Sequence, residues 1–130
     1  MIRDERDTTM IGIRPVLSIN SNDGSIIEQF QTETLRPILK LQNSILIAQF
    51  SKYLQKFKPT FNAYNQNTQR NYIEDVLKRD PIIKNSLIAS IVSMMTLEEY
   101  DFYCENKIET NKRIVSILVE RLKTNLEMLY

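Results

Sequence analysis

Residues 80–95 read Asp80-Pro81-Ile82-Ile83-Lys84-Asn85-Ser86-Leu87-Ile88-Ala89-Ser90-Ile91-Val92-Ser93-Met94-Met95, and this stretch decides the fold. An aspartate at the N-cap accepts hydrogen bonds from free helix-start amides, and a proline at the first helical position sacrifices no helical bond. Asp80-Pro81 therefore marks a helix start, with the helix running from Pro81 to Met95. Ile82, Ile83, Leu87, Ile88, Ile91, Val92 and Met94 make it apolar almost all round. Such a helix is touched on several sides, so it is predicted as the central helix of an all-α domain. Its one polar strip, Ser86, Ser90 and Ser93, consists of small side chains at helical spacing, where a second helix can approach closely.

Similar signals extend in both directions. Upstream, Ser25-Ile26-Ile27-Glu28 is a capping box that opens a helical segment to about Phe57. Pro37 lies inside it and predicts a break or kink near Leu35 and Arg36, because proline lacks the amide and clashes with the preceding turn. Beyond Pro37, apolar residues from Ile38 to Phe57 sweep more than half of the helix circumference. Lys58 to Asn67 reads as a loop, and Thr68 to Arg79 as a surface helix with a narrow stripe of Tyr72, Ile73, Val76 and Leu77. Downstream, Thr96-Leu97-Glu98-Glu99 is a second capping box, starting a short helix with Leu97, Tyr100 and Cys104 on one face. A break over Glu105 to Thr110 and a last helix from Asn111 to Leu129 complete the pattern.

Residues 1–24 differ. They hold both glycines, and Ile11, Ile13, Leu17 and Ile19 fall at odd positions, a weak period of two interrupted by Pro15. The expectation is an all-α bundle of about five helices over 25–130, preceded by an extended or partly disordered N-terminal arm over 1–24. That arm either lies over the protein's own core or grips a partner subunit. The prolines at 15, 37, 59 and 81 are evenly spaced, but their flanking residues do not otherwise align, so the spacing does not define a helical repeat.

Composition narrows the chemistry. The 130 residues suit one domain, with 42% apolar and 25% charged residues, the balance of a globular chain. A net charge of +1 gives no bulk attraction to nucleic acid or anionic membrane. There is no histidine, so no imidazole serves as general base or metal ligand. Cys104 is the single cysteine, which excludes an intrachain disulfide and suggests a reducing compartment. The mixed-charge N-terminus does not read as a signal peptide, and no apolar run is long enough for a membrane span, so a cytoplasmic location is expected.

Polar residues on apolar faces are the candidate functional positions. Gln42 and Gln49 fall among Ile38, Ile45 and Tyr53; Asn43 and Arg36 share the stripe of Phe50; Asn111, Arg121 and Asn125 lie within the arc of Ile114, Leu118 and Leu122. Three readings are open. The residues form an internal network, with Arg121 pairing to Asp80 or a glutamate and the amides serving helix ends. They sit at a dimer interface. Or Arg36, Asn43, Asn111 and Arg121 converge on a cavity for a small anion or polar ligand. Weaker constellations are an acidic cluster of Glu98, Glu99, Asp101 and Glu105, and the lysines 52, 56 and 58 beside Tyr53, Phe57 and Phe61, which suggest a cation site and a base-stacking surface respectively. Cys104, on its apolar face, is expected to be inert core.

The run Glu33-Thr34-Leu35-Arg36-Pro37-Ile38-Leu39-Lys40-Leu41-Gln42-Asn43 resembles the signature of a family of short Bacteroidetes proteins, some of which carry the label glyoxalase. The likeness continues loosely through Asn85, Asn111 and Arg113 to Arg121, over roughly residues 28–128. It draws attention to Arg36, Gln42, Asn43, Asn85, Asn111, Arg113 and Arg121. True glyoxalases use a βαβββ module and a metal held by His, Glu or Gln. This chain has no histidine and no strand pattern outside the arm. The sequence therefore predicts a non-enzymatic all-α interaction protein, homodimeric through the long or the last helix, with no cofactor or metal. The alternative is a ligand-binding or metal-independent catalytic bundle centred on Arg36, Asn43 and Arg121.

Overall fold

The computed structural model describes residues 5–17 and 24–129, and every regular element among them is helical. In chain order these are α1 (Glu5–Gly12), α2 (Ile26–Phe30), a π-helical turn (Gln31–Leu35), α3 (Arg36–Leu41), α4 (Asn43–Phe57), α5 (Gln66–Arg79), α6 (Pro81–Val92), α7 (Leu97–Glu105) and α8 (Lys107–Thr124). The all-α expectation is met, with eight α-helical segments among the described residues rather than about five. None is long and apolar enough to cross a membrane.

α6 is the hub, packed against α4, α5 and α8. It buries Ile83, Leu87, Ile88 and Ile91. These meet a core that includes Phe50 and Leu54 of α4, Ile73 and Val76 of α5, and Ile114 and Leu118 of α8. Each such side chain contributes about 1.5–3 kcal/mol through burial. The helix is not covered all round, however: Ile82 is 82% exposed. Asp80 caps it as expected, its Oδ1 accepting from the Ile82 amide at 3.0 Å.

Three local expectations are corrected. Pro37 does not break the chain. The missing amide is absorbed by the π-helical turn just before it, where the Arg36 amide bonds the Gln31 carbonyl. Leu35, Ile38 and Leu39 are fully enclosed on either side of Pro37, and that burial holds the segment helical. The interruption falls instead at Gln42 (φ −89°, ψ 3°), between α3 and α4. The expected break over 105–110 shrinks to Asn106 alone.

The arm is the third correction. Glu5–Gly12 is helical, not extended. Ile11 and Ile13 of the period-two pattern are exposed, and Ile19 lies outside the described residues. What seats α1 is polar: Asp7 is buried, and its Oδ1 accepts from the Leu97 amide at 3.1 Å. Arg6 donates to the carbonyls of Met95, at 2.7 Å, and Ser93. An anion thus sits at the start of α7 and a cation at the end of α6, the signs that helix dipoles favour.

Candidate functional sites

Most of the wrong-face residues are satisfied inside the molecule. Gln42 donates to the Ser90 carbonyl at 2.9 Å, and Gln49 donates to the Ser90 hydroxyl at 2.8 Å while accepting from Ser86 at 3.0 Å. Ser86 and Ser90 of the serine strip therefore face the glutamines of the α3–α4 segment, as their small side chains suggested. Arg113 donates to Gln31 Oε1 at 2.9 Å, so the π-helical turn aims a side chain at α8. Asn111 accepts from the Tyr103 hydroxyl at 2.8 Å.

Arg121 does not pair with Asp80 or a glutamate. Asp80 is occupied by the Tyr53 hydroxyl at 2.8 Å, and burial together with that bond pushes the Tyr53 phenol above its ordinary value. Arg121 instead donates to Asn43 Oδ1 at 3.0 Å. Burial, with no carboxylate to offset it, pushes its guanidinium below the ordinary value. Arg36 is exposed and lies with Arg121 along one open groove of about 420 Å³. Lys40 and Ser116 line the same groove, with Glu120 its single acid. Arg36 and Lys40 make no ion pair with any described residue. Arg36, Asn43 and Arg121 are thus brought together, whereas Asn111 lies elsewhere.

Asn111 and Asn85 line a second groove, of about 490 Å³, where α5, α6 and α8 meet. Its apolar lining is Leu77, Ile88, Ile108 and Val115, and Ile108 is 78% exposed. The charged side chains along it are all lysines: Lys78, Lys84 and Lys112. Lys78 reaches Glu74 at 3.6 Å, while Lys84 and Lys112 pair with no described acid. The lysines themselves escaped the sequence reading because solvated lysines carry no periodic signal. Lys84 beside Asn85 and Lys112 beside Asn111 were the available clue.

Glu99, expected from the sequence as a capping residue and a member of the acidic cluster, was missed as the partner of Arg14. Its carboxylate bonds the Thr96 amide at 2.8 Å, the Thr34 hydroxyl at 3.1 Å and both terminal nitrogens of Arg14, at 2.6 and 2.8 Å. Burial opposes ionisation, but the Arg14 and Thr96 bonds outweigh it and hold the carboxyl below its usual range. Arg14 also donates to the Met94 carbonyl at 2.9 Å. This cluster ties the arm to the bundle, and its Thr34 and Glu99 also border an open groove of about 230 Å³ with Phe30, Glu98 and Phe102.

The weaker constellations resolve differently. Among the described residues no three His, Cys, Asp or Glu side chains are grouped to hold a metal. Phe61 is fully buried, so it cannot stack a base, and Lys58 covers the Tyr64 and Tyr72 rings at 5.1 and 5.5 Å. Cys104 is exposed, correcting its placement in the core. Comparison with protein-family models, with curated proteins and with solved structures returned no match for this chain.

Proposed function

We propose that this protein works by holding another protein surface, as a non-enzymatic homodimer, and that the contact is made through the lysine-lined groove between α5, α6 and α8. The observation that carries the reading is the groove itself: an apolar lining with unpaired lysines at its rim. Apolar area at the centre and charge at the edge is the anatomy of a docking surface. The last helix supplies part of it through Ile108, Asn111, Lys112 and Val115. Gln42, Gln49 and Arg113 already have internal partners, which supports positioning of helices as their role rather than substrate handling. The likeness to the short Bacteroidetes proteins adds no chemistry to this reading.

Light scattering coupled to size exclusion is the test. The wild-type chain is expected to shift towards twice its 15.3 kDa mass as concentration rises. Lys84→Glu with Lys112→Glu is expected to weaken that association roughly tenfold or more. Indifference to the reversal rejects the groove as the contact.

A second reading has its own observation. Arg36, Lys40 and Arg121 share the other groove, and a small phosphate or carboxylate there would gain charge-assisted hydrogen bonds. Titration with inorganic phosphate, followed by amide chemical shifts, is expected to perturb α3 and α8. Arg36→Ala is expected to fold normally and lose the perturbation.

A further inference from the structure

We infer that the groove receives helix α7 of a second copy of this chain, in a reciprocal contact about a two-fold axis; this rests on the groove reading above. A surface of apolar character with an all-lysine rim fits an apolar ridge flanked by acids. The described residues of this same chain present such a ridge. On α7, Leu97 is 43% and Tyr100 46% exposed, and Cys104 is exposed one further turn along. These positions share one helix face. Glu98, Asp101 and Glu105 flank them, all exposed and none in an ion pair with a described residue. The inward side of α7 is occupied separately: Phe102 stacks on Phe30 and Tyr103 is buried. The ridge therefore lies outside the core, with Tyr100 touching it through the Tyr103 ring.

Placement supports reciprocity. Asn106 alone separates α7 from α8, and the groove begins at Ile108. Ridge and groove thus adjoin on one molecule. A two-fold axis between them seats each ridge in the other copy's groove, which closes the assembly at two subunits. From Leu97 to Cys104 the ridge spans about 10 Å of helix. A single short helix in a groove is a small contact, so the association is micromolar and salt-sensitive rather than permanent.

Charge reversal on each side separates the possibilities. One full-length variant carries Lys84→Glu and Lys112→Glu; the other carries Asp101→Lys and Glu105→Lys. Asp101, Glu105 and Lys112 are exposed and Lys84 is half-buried, and circular dichroism checks that each variant retains its helices. Masses are measured by light scattering over a concentration series at low and high salt. Each variant alone is expected to associate roughly tenfold more weakly than wild type. An equimolar mixture is expected to recover the dimer, because both contacts of the mixed pair then join opposite charges. If the groove variant weakens while the α7 variant matches wild type, the groove is a contact but α7 is not its occupant, and the inference fails alone. If neither variant differs from wild type, or if wild type stays monomeric at millimolar concentration, the inference and the groove reading fall together.

Discussion

Thr110 is fully enclosed on α8, and its Oγ1 has no hydrogen-bond partner. A buried hydroxyl left unmatched costs free energy, while valine has the same shape without that cost. Thr110→Val is therefore expected to raise stability by about 1 kcal/mol, read from the urea midpoint at unchanged slope. Glu99 works in the opposite sense. Its folded-state carboxyl is held below the ordinary value of 4.5, so its contribution is complete above that pH and drains away as pH falls through the folded-state value. Glu99→Gln is expected to lose about 2 kcal/mol at neutral pH, because it weakens a partly buried pair with Arg14. The difference from wild type closes on acidification below the unfolded carboxyl's range, which denaturation at a series of pH values checks. Sequence alone marked Glu99 through its capping box but not through Arg14. Their bond spans 85 positions, and no local pattern encodes that separation.

At the scale of elements, the π-helical turn and the arm show where local signals succeed and stop. Pro37 announced a disturbance in the correct region, but whether the chain would break or swell by one residue depended on burial of Leu35, Ile38 and Leu39 by other helices. The serine strip of α6 was legible because small residues at helical spacing have one obvious use. Its partners were only half legible, since Gln42 and Gln49 were visible as misplaced amides without a direction. α1 was illegible as a helix. Ile11 is exposed and Met10 only half-buried, and Arg6 and Asp7 seat it on backbone groups of the α6–α7 junction. Replacing Arg6 and Arg14 together with alanine is expected to unseat α1 and free the carbonyls of residues 93–95. Hydrogen exchange should accelerate roughly tenfold or more from Ser93 to Glu99, with the slowest amides of α4 and α8 little changed. Uniform acceleration throughout would show that the arm is part of the global unfolding unit.

For the whole molecule, the helical class was readable because its signals are short-ranged: caps, prolines and a 3.6-residue rhythm. The grooves were not, since each is assembled from helices distant in sequence. Asn85, picked out by the resemblance, and Asn111, picked out for its apolar face, line one groove, while Arg36 and Arg121 line the other and Arg121 reaches Asn43. For the proposed dimer, a salt series on the wild-type chain is expected to favour monomer, since facing charges separated by water are screened within about 8 Å at physiological ionic strength. The clasp made by α1 carries a consequence for biosynthesis. The segment emerges from the ribosome some eighty to ninety residues before the carbonyls and amide that receive it. At ordinary elongation rates that is a delay of several seconds. α1 is consequently made long before its berth exists, and until residues 93–97 follow it has nothing to close on.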